Sequence, residues 1–106
     1  MKPVIVYEVD LAIDAAIADA YRTWLTAHVG ELLALPGFTG ARVFEVLEPA
    51  PAPGEARLCV QYTLRDEAAL ATYLRDHAPR LRAAGLARFG DRFRASRRVL
   101  HTLEER

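Results

Sequence analysis

The side chains able to do chemistry near neutral pH are few, and they gather on two apolar stripes and in one arginine-rich stretch. His28 lies in register with Ile17, Tyr21, Trp24, Leu25, Leu32 and Leu35, and His77 with Leu70, Tyr73, Leu74 and Leu81. Both spacings are helical, so each imidazole faces the side that a helix turns inward. Imidazole is the group best suited to exchange a proton near neutrality. Two such rings meeting under one sheet would supply an acid and a base; kept apart, each would be a core histidine satisfied by a carbonyl or carboxylate. The sequence leaves both readings open.

The stretch from His77 to Phe93 sets Arg80, Arg82, Arg88 and Arg92 around Phe89 and Phe93, with Pro79, Gly85 and Gly90 as turn residues. Guanidinium groups offer a planar fork to carboxylate or phosphate and stack on aromatic faces. This mix suits an acidic ligand or an acidic face of a partner subunit, and equally a solvated connection between helix and strand. Trp24, His28, His77, Arg80 and Arg92 are therefore the candidate ligand-binding residues, with His28 and His77 the candidates for catalysis. Glu8 and Gln61 fall on the less apolar side of two strands expected to be central, where a carboxylate needs a partner such as Arg94 or Arg98.

No His-x-x-x-His pair or Cys/His cluster occurs, so neither a metal site nor a cofactor is expected. Glycine-rich phosphate loops and a Gly-x-Ser-x-Gly elbow are missing too. Cys59, the one cysteine, falls in mid-strand and reads as a buried, inert thiol.

The elements that must position these groups follow from periodicity. Lys2 to Leu11 alternates as a strand, with Ile5, Tyr7, Val9 and Leu11 on one face and Val4, Val6, Glu8 and Asp10 on the other. Asp14 caps a helix expected over Ala15 to Leu35, and Pro36-Gly37 stops it. Phe38 to Leu47 reads as a second strand, Glu48 to Ala56 as a proline-rich hairpin loop, and Arg57 to Leu64 as a third strand. Asp66 caps a second helix that Pro79 should break near Ala78, leaving a short helical turn over Arg80 to Arg88. Arg92 to Leu103 completes the set as a last strand. Thr23-Trp24-Leu25 with His28, and Thr72-Tyr73-Leu74 with His77, form a weak internal repeat at equivalent helix positions.

Strand, helix, strand, strand, helix, strand predicts an α+β class, ferredoxin-like βαββαβ fold with a four-stranded antiparallel sheet and both helices on one face. The other face, carrying Val4, Val6, Val43, Cys59 and Leu100, reads as too apolar to meet water, and a homodimer through the sheet is the expected cover.

At 106 residues the chain is expected to form one domain over residues 1–106. Its 52% apolar and 26% charged residues are ordinary for a globular protein and exclude disorder. Met1 to Glu8 meets an acid too soon for a signal segment, no apolar run would span a bilayer, and a lone cysteine suits a reducing compartment, so a cytoplasmic location without membrane contact is expected. The net charge of zero hides an uneven split, acidic over residues 1–74 and arginine-rich over 75–106. That balance argues against nucleic acid, as does the lack of paired aromatics from Arg57 to Tyr62.

Tyr7-Glu8-Val9, Pro36-Gly37-Phe38, Val60-Gln61-Tyr62 and above all His77 to Phe93 resemble a small bacterial family known as a domain of unknown function. The likeness covers nearly the whole chain and implies no assigned activity. More distantly, the architecture is similar to the dimeric α+β barrels, which include cofactor-free quinol monooxygenases, haem-degrading enzymes and stress-responsive proteins. The resemblance implies a dimer packed sheet to sheet, with a pocket between helices and sheet. The leading expectation is a module that binds a small anionic or aromatic molecule. The alternatives are a cofactor-independent monooxygenase-like enzyme using His28 or His77 as base, and a structural self-association domain.

Overall fold

The computed structural model describes residues 4–106, with four antiparallel strands in the spatial order 2-3-1-4. The elements are β1 (Ile5–Asp14), α1 (Ala18–Leu33), β2 (Phe38–Glu45), β3 (Glu55–Leu64), α2 (Glu67–Asp76), α3 (Ala78–Phe89) and β4 (Phe93–His101). This is the expected βαββαβ order, with its second helical segment divided in two. The expected strand start at Lys2 lies outside the described residues, and β1 runs on to Asp14.

The boundaries shift for local reasons. Asp14 does cap, its Oδ1 accepting from the Ala16 amide at 2.9 Å, but the cap closes a short 3-10 turn, Ala15–Ile17. The helix α1 therefore begins at Ala18, and it ends at Leu33, not Leu35. Asp66 caps α2 through the Ala69 amide at 2.8 Å. The break at Ala78 is present, but Pro79 opens a helix there, because a first-turn residue has no intrahelical N–H bond to lose. So α3 is a full 12-residue helix and not a short turn. At the hairpin, Glu55 and Ala56 belong to β3 and not to the loop.

Alternation divides the sheet. Ile5, Tyr7, Leu11 and Ile13 of β1 are buried with Val60, Tyr62 and Leu64 of β3, under Tyr21, Leu25 and Leu32 of α1, Leu70 and Tyr73 of α2, and Leu81 and Phe89 of α3. Val43 pairs with Val60 and packs into this core, so it does not belong to the outer face as expected. Across the middle of that outer face the register instead sets a polar row: Arg42 beside Gln61, Gln61 beside Glu8, and Glu8 beside Arg98. Val6 and Leu100 flank the row on one side, Phe44 and Cys59 on the other.

Candidate functional site

Between the helices and the sheet the chain leaves a cavity of about 50 Å³. Tyr7, Tyr21, Trp24, Tyr62, Tyr73 and Phe93 give it aromatic walls, and besides the tyrosine hydroxyls its polar groups are His28, Arg82 and Arg97. Among the described residues that line it, none is a carboxylate.

Each wall has a local cause. Tyr7 and Tyr62 are register partners on the two central strands, their ring centroids 6.1 Å apart, and Tyr73 meets Tyr7 edge-on at 5.6 Å. Trp24 and His28 are one turn apart on α1 and stack at 4.6 Å with an interplanar angle of 18°. On α3, a Cβ at Gly85 would stand 3.1 Å from Trp24 and 3.5 Å from Phe93, so bare backbone forms that part of the wall. One turn earlier, Arg82 donates from a terminal nitrogen to the Tyr7 hydroxyl at 2.9 Å. Its Nε is buried with no hydrogen-bond partner among the described residues. Arg97 of β4 stands opposite Val9 and completes the cavity lining from the edge strand.

Burial sets the ionisation states. It pushes the Tyr21 and Tyr73 phenols up to about 12 and raises Tyr62 as well, so all three remain protonated donors near neutrality. Burial also lowers the His28 pKa, reinforced by the Arg97 charge and opposed by Glu31. The unfolded chain therefore takes up a proton at His28 at a higher pH than the folded chain does. Stability from the neutral ring is complete above the unfolded value of about 6.5 and falls as pH drops toward the lower folded value. The thermal midpoint is expected to fall more between pH 7 and pH 5 in the native chain than in His28→Gln. Parallel midpoint curves for the two proteins would show that His28 titrates normally.

The expected site residues separate into three places. Trp24 and His28 line the cavity. His77 sits half-buried at the α2–α3 junction, its Nδ1 2.6 Å from a terminal nitrogen of Arg80, and it is not part of the cavity lining. Arg80 also donates to the Asp76 carbonyl at 3.3 Å. Arg92 is ion-paired to Asp14 at 2.8 Å, beside the Arg94–Glu55 pair at 3.2 Å. The two histidines thus do not meet. Arg97, Tyr7 and Tyr62 are cavity residues that are not among the sequence candidates, and Arg82 is noted in the arginine-rich stretch but not singled out. Arg97 carried a signal, since it occupies an inward position between Ala95 and Val99.

On the outer face, Glu8 is 3% exposed, and its oxygens accept from Gln61 Nε2 at 2.9 Å and from Arg98 Nε. Arg98 is thus its partner, while Arg94 turns to Glu55. The Arg98 and Gln61 hydrogen bonds hold the Glu8 carboxyl below its ordinary value. Burial, then the Glu8 and Asp10 charges, push the Cys59 thiol up to about 12. Ligand atoms of Glu8, Asp10 and Cys59 lie within 4.8 Å of one another. Both Glu8 oxygens are already engaged, by Gln61 and Arg98.

No described helix is long and apolar enough to cross a membrane. The fold has many solved counterparts. It is similar over 99% of this chain to a candidate antibiotic biosynthesis monooxygenase from Bacillus cereus (98% of that chain, TM-score 0.71, 12% identity). It is also similar over 96% of its length to SnoaB, a cofactor-independent oxygenase from Streptomyces nogalater (95% of that chain, TM-score 0.71, 10% identity). Rv0793 from Mycobacterium tuberculosis matches over 98% of both chains, with a TM-score of 0.68 and 22% identity. At these identities the likeness shows a shared ferredoxin-like fold and nothing of activity. No curated protein matches the sequence. Residues 4–103 match the family described as Domain of unknown function (DUF4286), and the chain belongs to it.

Proposed function

We propose that this member of the DUF4286 family binds a small aromatic molecule carrying negative charge in the cavity between helices and sheet, and that it works as a homodimer. The observation that carries the reading is the cavity's composition: six aromatic rings, two guanidinium groups and no carboxylate among its described lining residues. Rings supply stacking surface, and unopposed arginines select for an anion. Ligand pockets commonly reach about 300 Å³ or more. This one, at about 50 Å³, is smaller and partly open, so a ring enters as lining side chains such as Trp24, His28 and Arg97 move aside.

The homodimer reading rests on the outer sheet face, where Val6, Leu100 and Phe44 flank the Glu8 row. A second copy would cover these apolar positions and leave the opposite cavity open to solvent. A second functional reading, oxygenation of an electron-rich phenol without a cofactor, is favoured by His28. Its imidazole is held neutral on the cavity wall and could accept the phenol proton. SnoaB, of similar fold, is a cofactor-independent oxygenase.

Trp24 is the only tryptophan, so its emission reports on the cavity directly. Titration with 1-naphthoate should change that emission saturably, and Gly85→Leu, which fills the space against Trp24, should abolish the response while keeping native circular dichroism. A response that persists in Gly85→Leu, or none in the native protein, would place any ligand elsewhere. If the enzyme reading holds as well, His28→Ala removes turnover of a phenol entirely, whereas naphthoate binding is only weakened.

A further inference from the structure

We propose that Tyr7 and Arg82 form an anion-holding end of the cavity that takes a single oxyanion attached to a planar ring, so that the ligand is bound in its ionised form. The inference rests on the cavity-binding reading above and adds where and how the charge is held. Arg82 reaches the cavity from α3 and donates to the Tyr7 hydroxyl oxygen at 2.9 Å. That donation occupies the oxygen and leaves the hydroxyl hydrogen to be given elsewhere. The adjacent Nε–H of the same guanidinium is buried and has no acceptor among the described residues.

A buried donor without a partner is destabilising, and buried polar groups in folded proteins are nearly always satisfied. Two neighbouring donors, one of them charged, with no acceptor opposite them, are complementary to an oxygen bearing negative charge. The charged surroundings are mostly cationic or neutral, with Glu31 on α1 the one acid that acts on the His28 side of the cavity. Arg97 adds positive charge from β4, His28 on α1 is neutral, and the phenols of Tyr62 on β3 and Tyr73 on α2 stay protonated. The nearby acids of β1, Glu8 and Asp10, project from the opposite face of the sheet. A phenolate and a carboxylate share this chemistry, and a probe with one ionisable oxygen reads it without ambiguity.

The probe is 4-nitrophenol, which ionises near neutrality and whose phenolate absorbs in the visible, with nitrobenzene as its uncharged counterpart. Bound to the native protein, 4-nitrophenol is expected to ionise at a lower pH than in water, the Arg82 charge beside its oxygen outweighing the burial that raises the lining phenols Tyr21 and Tyr73. Arg82→Met should remove most of that shift and Tyr7→Phe a measurable part of it, both still quenching Trp24 with nitrobenzene as the native protein does. Tyr7→Phe keeps the ring in the core, so it tests the pair even if Arg82→Met perturbs packing. Binding of both probes with unshifted ionisation, or a shift that survives both substitutions, overturns this proposal and leaves the cavity reading standing. If neither probe binds saturably, the cavity reading falls and this proposal with it. A full shift for 4-nitrophenol but none for the ring-positioning of 4-nitrobenzoate, read as Trp24 quenching, would assign the end to phenolates; equal binding of both extends it to carboxylates.

Discussion

Gly37→Ala is expected to lower the thermal midpoint by about 10 °C or more, the largest effect of any single methyl added to this chain. Gly37 has φ +87°, a region that alanine reaches only with strain of about 1–3 kcal/mol. An added Cβ would also stand 2.3 Å from the Cβ of Ala69, which is itself 7% exposed on α2. Relieving that clash means moving the turn, whose Gly37 carbonyl accepts from the Arg65 amide at 2.8 Å, or displacing α2. Overpacking of this kind costs about 1–3 kcal/mol more. Gly54 is the natural control, because it has φ +77° but open space around its Cα. Gly54→Ala should show the strain alone, and midpoints from calorimetry that fell equally in both variants would mean that α2 does not rest on the Pro36-Gly37 turn.

Tyr62→Ala is the second large effect, expected to cost about 3–5 kcal/mol. Tyr62 is 2% exposed at the centre of β3, with Tyr7 at 6.1 Å and Phe38 edge-on at 5.8 Å. Its loss also joins a ring-sized void to the cavity it lines. An apolar void of that size binds small aromatics, so indole should raise the midpoint of Tyr62→Ala more than that of the native protein. Tyr62→Phe keeps the ring and should lie within about 1 kcal/mol of native. Unfolding midpoints with and without indole check both statements. A Tyr62→Ala protein that is destabilised but indifferent to indole would show that the core collapses around the missing ring and that the cavity is not a rigid feature.

Much of the fold was legible because two periods do not overlap. Alternation in β1 and β3 put Tyr7, Val9, Val60 and Tyr62 on one face, and the three- and four-residue stripe placed Tyr21, Leu25 and Leu32 inward. Pro79 marks a break in the helical stripe, but its helix-opening role is not legible locally, since only the packing of Leu81 and Phe89 reveals that the chain continues helical for three turns. Val43 was set on the wrong face because a strand's phase is fixed by its partner, and its pairing with Val60 is a non-local fact.

The site was half legible for the same reason. Trp24 and His28 share one helix, so local spacing brings them together. Tyr7 and Arg82 are 75 residues apart, and nothing in either neighbourhood announces the other. Arg92 drew attention through its arginine-rich surroundings, whereas the fold neutralises it with Asp14 on the far side of the chain. Glu8, Gln61 and the choice of Arg98 could be anticipated, because a carboxylate on a central strand must find a cation across the sheet.

Native mass spectrometry in the presence of 1-naphthoate tests the central proposal most directly, since subunit count and bound mass are read together. A dimer retaining up to two naphthoates, and losing them in Gly85→Leu, is the predicted spectrum. A bare monomer that retains no naphthoate under conditions preserving the native fold would contradict both the pairing through the Glu8 face and the ligand site beneath the helices.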